Sequence, residues 1–161
     1  MADLALNYGT VLATAEDRLA EFDADVVLIH MALARLGHMM QQDLQELLRK
    51  DGLQVSEYQV LAALWMNGVD QPIPPVQLSR LILQTSGGMT KTLRRLENAG
   101  LVRRTLDTQS GNQLVHLTRS GEKRIERHLR RRLSNWNDRL QCHTKVNGRL
   151  AETLWALIEQ P

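Results

Sequence analysis

Cysteine is almost absent from this chain, because Cys142 is the only one among its 161 residues. A single cysteine cannot form an intrachain disulfide, so a disulfide-stapled fold is excluded and nothing points to an oxidising compartment. Long apolar runs are also missing. The longest spans residues 26–34 and is interrupted by His30, far short of the roughly 20 residues that a membrane span needs. Early acidic residues such as Asp3 argue against a signal peptide. We expect a soluble cytoplasmic protein with no membrane partner.

The sequence also lacks the common motifs of enzymes and metal sites. It contains no glycine-rich phosphate loop, no nucleophile elbow and no His-Glu-x-x-His segment, so we do not expect an enzyme. The five histidines are scattered and form no cluster with metal-ligand spacing, so we predict no metal ion and no other cofactor. Cys142 lies beside His143 near a predicted helix end and is interpreted as a structural or incidental cysteine.

The charge is unevenly distributed along a chain whose length suits one domain. Residues 1–52 carry four basic and nine acidic side chains, residues 53–105 carry six and three, and residues 106–145 carry nine and four. A basic stretch is either an ordinary solvated surface or a footprint for the phosphate backbone of a nucleic acid. Charge alone leaves both interpretations open.

Hydrophobic periodicity predicts a mainly α-helical chain. Residues 1–24 are small, acidic and weakly periodic, so we expect an arm or a short helix there. Apolar residues three or four apart predict a long helix over residues 25–50, with an apolar face wide enough to need cover on more than one side. Further helices are predicted over residues 57–67 with Ser56 as N-cap, over 76–83 after Pro75, over 86–98, from Thr118 or Ser120 to about 141, and over 145–159.

Between the predicted helix over residues 86–98 and the next predicted helix, the spacing of apolar residues changes from that of a helix to that of a strand. Residues 101–106 and 113–118 have the pattern of two strands, and residues 107–112 are turn formers. A short helix, a tight turn, a second helix and a two-stranded hairpin are typical of a winged helix-turn-helix. The predicted fold is therefore mainly α with a small β-hairpin wing.

The predicted helix over residues 86–98 has two chemically distinct faces. At 100° per residue, Met89, Leu93 and Leu96 share one face. Lys91, Arg94 and Asn98 lie on the opposite face, with Thr90 and Arg95 beside them. Arginine and lysine pair with phosphates or with the acceptor edge of guanine, and Gly87 and Gly88 allow the helix N-terminus to approach a phosphate closely. The alternative is an ordinary solvated helix face.

Three segments resemble the MarR (multiple antibiotic resistance regulator) family of winged helix-turn-helix transcription regulators. Residues 53–64, LQVSEYQVLAAL, resemble its second-helix signature. Residues 85–102, TSGGMTKTLRRLENAGLV, are similar to its recognition helix and first wing strand. Residues 114–121, LVHLTRSG, resemble its second wing strand and the start of the next helix. The resemblance covers about residues 26–160.

The resemblance implies which residues contact DNA. Side chains of the recognition helix and its N-terminal turn would face the major groove or its flanking phosphates, namely Thr85, Ser86, Gly87, Thr90, Lys91, Arg94 and Arg95. The family's wing usually carries an arginine at its tip, which enters the minor groove. Here the tip, DTQSGN over residues 107–112, has none. We expect Asn112 and Gln113 to replace it only weakly, and Arg103 or Arg104 at the wing base to contact phosphate.

The resemblance also implies a homodimer. It predicts that residues 25–52 and 119–161 form a helical dimerisation region around a DNA-binding domain of residues 53–118. Large apolar faces must be buried somewhere, which agrees with a dimer, although packing within one chain is the alternative. A two-fold dimer predicts a pseudo-palindromic operator in double-stranded DNA. The basic run over residues 123–132 either contacts DNA or is a solvated, salt-bridged face.

Regulators of this family often release DNA when a small aromatic or acidic effector binds. Arg35 and His38, one helical turn apart, could hold a carboxylate, and Trp65 could supply an aromatic wall. The alternative is that Arg35 pairs with an internal acid and Trp65 is core. We predict a DNA-binding regulator, expected to be a ligand-responsive repressor. The other hypothesis is a winged-helix protein-interaction or accessory module with weak or no specific DNA binding, which the missing wing arginine favours.

Overall fold

The computed structural model describes residues 7–108, 111–143 and 148–159. Within these ranges the chain is mostly helical, with one antiparallel hairpin, so the predicted fold class is confirmed. Residues 1–6 of the expected arm, two wing-tip residues, the side chain of Cys142 and the predicted start of the last helix at Lys145 lie outside the described residues. The elements are α1 Tyr8–Arg18, α2 Ala24–Arg49, α3 Val55–Asn67, α4 Pro75–Leu81, α5 Ser86–Asn98, β1 Val102–Leu106, β2 Gln113–Leu117, α6 Arg119–His143 and α7 Gly148–Glu159.

The chain divides into two compact units, Met1–Glu46 and Leu47–Pro161. In the first unit, α1 is the predicted short helix, and the Asn7 side chain caps it by accepting a hydrogen bond of 3.0 Å from the backbone N–H of Thr10. Helix α2 follows the predicted bounds to within one residue. Its apolar residues remain widely exposed in the single chain, among them Val26, Ile29, Leu33, Leu36 and Met40. The grouping of these helices into a dimerisation region stays a prediction.

The second unit contains the winged helix-turn-helix core. Helix α3 packs against α5 and α6, and α4 packs against α5. Each of these four helices and strand β2 contributes at least one apolar side chain that is at most 1% exposed, because apolar residues recur at helical and strand spacing. These side chains are Leu61, Leu64, Leu78, Leu93, Leu96, Val115 and Ile125. The core therefore fixes the orientation of α5 relative to the hairpin.

The hairpin pairs Val102 with Leu117 at its base and Leu106 with Gln113 near its tip. A third segment joins it, which the sequence analysis did not predict. Ile73 and Val115 exchange two backbone hydrogen bonds of 3.1 and 3.0 Å. Ile73 lies among the prolines before α4, where no run of alternating residues marks a strand. This bridge ties the entrance of α4 to the wing.

Two predicted helix ends are wrong. Helix α3 begins at Val55 with Gln54 as its N-cap, because the Glu57 carboxylate accepts a hydrogen bond from the Gln54 N–H, whereas Ser56 bonds to another helix. Helix α4 ends at Leu81, two residues early, because Leu83 adopts a left-handed φ of 52°. Pro75 occupies the first turn of α4 as predicted.

The wing leads into α6 through a tight backbone junction. Thr118, one of the two predicted starts of α6, caps this helix, since its hydroxyl accepts from the Gly121 N–H at 3.0 Å and donates to the Gly100 carbonyl at 2.8 Å. A β-carbon at Gly121 would lie only 2.1 Å from the Leu101 carbonyl oxygen, so α6 approaches the backbone between α5 and β1 very closely. Of the helices described, none has the length and apolar character to cross a membrane.

Candidate nucleic-acid interface

Helix α5 has the two faces predicted for it. Met89, Leu93 and Leu96 are at most 2% exposed and pack into the core. The side chains of Thr90, Lys91 and Arg94 are exposed on the other side of the helix, together with those of Ser86, Arg95 and Asn98. Within the described part of the chain, no ion pair engages Lys91 or Arg94. Lys91 and Arg94 therefore project from one face without an ion-pair partner among the described residues. Their contact with DNA stays a prediction.

The N-terminus of α5 is open and well capped. The Thr85 hydroxyl accepts a hydrogen bond of 3.2 Å from the Gly88 N–H, and the Thr90 hydroxyl donates to the Ser86 carbonyl at 3.0 Å. A β-carbon at Gly87 would meet no heavy atom within 4 Å, whereas one at Gly88 would lie 3.0 Å from the Gln84 side chain. The first turn thus has clear space outside it, and its free N–H groups favour an anion there.

Arg95 is engaged within the fold. Its Nε lies 2.8 Å from Oε1 of Glu57, a carboxylate that is only 4% exposed. The other oxygen of Glu57 accepts the Gln54 N–H at 2.8 Å. Arg95 is among the residues predicted for the DNA face, whereas Glu57 is not a predicted site residue. The signal for Glu57 is an acidic residue three positions after a polar helix start. The geometry gives Arg95 a structural role, and its DNA contact stays a prediction.

Removing the charge of Glu57 should destabilise the second unit measurably. In Glu57→Gln the Arg95 pair is lost and the cap of α3 weakens, so we expect a cost of about 1–2 kcal/mol, below that of a fully buried pair because solvent still reaches Arg95. Urea denaturation measures this free energy. Glu97→Gln is the matched control, since its pair with Arg104 is partly exposed and should cost less than about 1 kcal/mol. Equal costs for the two variants would contradict the role given to Glu57.

The two arginines at the wing base have different partners. Arg104 Nε donates to Glu97 Oε2 at 3.0 Å, which lowers the pKa of Glu97 and raises that of Arg104. Arg103 extends from the other face of the hairpin, where its Nη2 lies 3.4 Å from Nδ1 of His116. Because guanidinium can only donate, this contact needs a neutral imidazole. Burial lowers the pKa of His116, and the charge of Arg103 lowers it further. Arg103 is thus the more available cation.

The wing tip is described on either side of residues 109 and 110. Asn112 is exposed, and its carbonyl accepts the Asp107 N–H at 2.8 Å, which closes the loop. Gly111 has a φ of 68°, a left-handed conformation that glycine adopts without strain. The structure therefore places the Asn112 side chain at the tip, where contact with DNA stays a prediction.

A buried polar network that the sequence analysis missed links three parts of the second unit. Thr92 is 4% exposed on the core face of α5, and its hydroxyl lies 3.3 Å from the Ser56 hydroxyl and 3.2 Å from the Gln84 amide nitrogen. A threonine among apolar positions was the only signal for it. The network joins α3, the turn before α5 and α5 itself, so it holds the turn in place.

The basic run on α6 is partly engaged within the second unit. Arg124 donates to the Asp51 carbonyl at 2.6 Å, and Arg130 pairs with Glu126 one turn away. Arg132 lies over the ring of Tyr58, 5.7 Å from its centre. The remaining basic residues, Lys123, Arg127 and Arg131, are exposed. This pattern agrees with the salt-bridged alternative for part of the run.

A buried histidine lies beneath this run. His128 is 3% exposed, and its Nε2 is 3.0 Å from a carboxylate oxygen of Asp51. Burial lowers the pKa of His128, and the charge of Asp51 opposes that effect. No metal cluster involves it, since no group of three or more potential ligands is found among the described residues.

The three predicted effector residues belong to different units. Arg35 and His38 lie exposed on α2, and Trp65 is half-buried on α3. Arg35 borders an open cleft of about 630 Å³ between α1 and α2 whose walls are mostly apolar, including Tyr8, Val11, Leu28, Ile29 and Ala32. His38 and Trp65 are not among its lining residues. Their joint role with Arg35 stays a prediction.

Sequence comparison finds regulators. No protein-family model matches the chain. It is 29% identical over 107 residues to an uncharacterized HTH-type transcriptional regulator of Bacillus cereus, which covers 66% of this chain and 69% of that protein. It is 28% identical over 121 residues to the HTH-type transcriptional regulator PecS of Dickeya dadantii, which covers 73% of this chain and 72% of PecS.

Structure comparison finds the same fold in solved proteins. A MarR family protein from Bacillus stearothermophilus matches with a TM-score of 0.67 and 19% identity, over 84% of this chain and 91% of that one. NadR in complex with 4-hydroxyphenylacetate matches with a TM-score of 0.69 and 20% identity, over 81% of this chain and 91% of NadR. A variant of MepR from S. aureus bound to an oligodeoxyribonucleotide matches with a TM-score of 0.57 and 18% identity, over 81% of this chain and 92% of the MepR variant. The predicted fold and the resemblance to MarR-type regulators are confirmed.

Proposed function

We propose that this winged helix-turn-helix protein of the MarR type is a sequence-specific DNA-binding transcription regulator that binds a pseudo-palindromic operator as a homodimer. The observation that carries the proposal is the exposed cationic face of α5, which lies opposite the buried face of the same helix. Helix α5 is the second helix of the helix-turn-helix. Its relatives are named as transcriptional regulators and not as enzymes, so we propose no catalytic activity. Its place of action is then the cytoplasm, with the operator DNA.

In the proposed complex, α5 lies in the major groove. Arg94 projects near the middle of the exposed face, where a guanidinium can pair with the two acceptors of guanine. Lys91 neutralises a phosphate, and the N-terminal turn from Thr85 to Gly87 offers backbone N–H groups to another. Arg103 contacts phosphate from the outer face of the wing. The MepR variant with the same fold is bound to DNA, which supports this arrangement.

The homodimer is proposed from apolar surface that the single chain leaves uncovered. Four residues of the amphipathic helix α7 are 41–69% exposed, namely Leu154, Trp155, Leu157 and Ile158. Helix α2 exposes a second apolar row. Extended apolar faces are seldom left in contact with water. Association about a two-fold axis buries the same patch on both chains. Two recognition helices would then meet half-sites about one helical turn apart.

We propose ligand-responsive repression as the mode of regulation. The cleft beside Arg35 has apolar walls with a guanidinium at its edge, which suits a small aromatic acid whose carboxylate pairs with Arg35. NadR, which shares the fold, is described in complex with 4-hydroxyphenylacetate, an aromatic carboxylate. The predicted contributions of His38 and Trp65 belong to this proposal.

A protein-interaction module is the second candidate. One observation favours it, since the wing tip lacks the arginine that would enter the minor groove. The exposed cations of α5 weigh against it, because a surface that binds only protein has no need of a cationic groove-reading face.

Binding to DNA across a salt series tests the proposed function. The affinity of the chain for the DNA upstream of its own gene is compared with its affinity for a scrambled fragment. Both affinities are measured by fluorescence anisotropy. If Lys91 and Arg103 of both protomers contact phosphates, the logarithm of affinity should fall with the logarithm of salt with a slope of about −4. Equal, weak binding to both fragments would contradict a specific regulator of that region and favour the interaction module.

A further inference from the structure

Leu83 has a backbone conformation and an exposure that the fold does not explain. It lies in the turn between α4 and α5 with a φ of 52°, and it is the one non-glycine residue with a positive φ in the described ranges. The other residues with positive φ are glycines. Left-handed backbone is unfavourable for a residue with a β-carbon, and leucine has no polar group to compensate.

The turn requires this conformation at this position. The Leu83 N–H donates to the Arg80 carbonyl at 3.3 Å, and the Gln84 N–H donates to the Ser79 carbonyl at 2.9 Å. These two bonds form a Schellman motif, whose left-handed position is usually glycine. Glycine would therefore satisfy the turn with less strain than leucine does.

The side chain gains nothing from packing in return. Leu83 is 95% exposed, the highest value among the large apolar residues described as exposed. Its backbone is nevertheless held firmly, because the neighbouring Gln84 side chain bonds to the buried Thr92 hydroxyl at 3.2 Å. The turn thus presents an apolar side chain in a defined position, two residues before the N-cap of α5.

From these observations we infer that Leu83 is a specificity-determining residue that contacts the 5-methyl group of a thymine beside the proposed recognition helix. This inference rests on the proposed DNA-binding function. Leucine can make no hydrogen bond, and the apolar group that the major groove offers is the thymine methyl. A protein partner is a less suitable occupant, since Leu83 stands next to the Thr85–Gly87 turn that offers N–H groups to phosphate.

Deoxyuridine scanning tests the inference, because deoxyuridine lacks only that methyl group. The operator is first selected from random-sequence duplexes with the wild-type chain. Each thymine is then replaced in both half-sites, and affinities are measured for the wild type, for Leu83→Ala, and for the control Met66→Ala, whose exposed side chain lies on α3. We expect one position at which loss of the methyl weakens wild-type binding roughly fourfold per half-site. Leu83→Ala should bind both duplexes equally, at the weakened level.

Each other outcome has a definite meaning. If Leu83→Ala binds the thymine operator as tightly as the wild type, or responds to every deoxyuridine as the wild type does, the inference is overturned and the proposed function stands. If Leu83→Ala is weaker than the wild type by the same factor on every duplex, including the one that carries the sensitive deoxyuridine, the contact carries no sequence information, which also overturns the inference. If the wild-type chain selects no operator, the proposed function fails and the inference with it. Leu83→Gly should raise Tm by about 2–4 °C, which measures the strain separately.

Discussion

Arg94→Ala is expected to weaken operator binding by about 1–3 kcal/mol, which corresponds to roughly a fivefold to more than a hundredfold loss in affinity. The reason is that Arg94 projects from the exposed face of α5, opposite the buried Leu93 and Leu96 side of the helix. In the proposed complex its guanidinium pairs with a guanine, and alanine leaves the guanine acceptors without partners. Fluorescence anisotropy with the selected operator measures the loss.

Lys91→Ala is the matched control for Arg94→Ala. A lysine that contacts only phosphate should weaken binding by a similar factor on every DNA sequence and should make the salt slope shallower by about 1 per contact. Arg94→Ala should instead lose affinity chiefly for the operator, so that the preference over scrambled DNA shrinks. Both variants should retain the thermal stability of the wild type, because both side chains are exposed. Intact operator binding by Arg94→Ala would show that the reading face is assigned wrongly.

Gly121→Ala is expected to destabilise the protein by about 2–4 kcal/mol, even though alanine is the better helix former. The added β-carbon would lie 2.1 Å from the Leu101 carbonyl oxygen and 2.9 Å from Leu117 Cδ1. That oxygen also accepts hydrogen bonds from the N–H and hydroxyl of Thr118, so the start of α6 cannot move away without breaking them. Thermal unfolding followed by circular dichroism should show Tm lowered by about 5–15 °C.

Gly87→Ala provides the comparison, because the same chemical change is made where no heavy atom lies within 4 Å of the new β-carbon. It should stabilise α5 by up to about 1 kcal/mol, as expected for alanine replacing glycine within a helix. It should also reduce operator affinity, since the methyl group occupies the space in which the helix N-terminus is proposed to meet phosphate. If both glycine variants changed Tm in the same direction and by the same amount, the close approach at Gly121 would be refuted.

Much of the fold could be predicted because its signals are local. The spacing of apolar residues placed α2 and α5 to within one residue, and the turn formers over residues 107–112 separated the two strands correctly. The face of α5 that carries Lys91 and Arg94 followed from helical geometry alone. Ile73 was missed because its strand-like pairing with Val115 joins residues far apart in the chain, and its own segment is a proline-rich link.

The candidate site was predicted less completely, because partners decide what a charged side chain does. Arg94 and Arg95 are neighbours with the same chemistry, yet only Arg95 lies within reach of the buried carboxylate of Glu57. At the wing base, Arg103 and Arg104 alternate across the hairpin, so that one meets His116 and the other meets Glu97. Nothing in the local pattern distinguishes the members of either pair.

The sequence by itself determined the winged helix-turn-helix order, the cationic face of α5 and the absence of an arginine from the wing tip. Each of these depends on residue identity and short-range periodicity. Only the tertiary structure decided that Arg95 and Arg104 are engaged in ion pairs, that Thr92 joins Ser56 and Gln84, and that Gly121 and Leu83 are conformationally constrained. The physical reason is that these properties depend on contacts between residues distant in sequence or on the backbone path, and a helix or strand pattern carries no information about either.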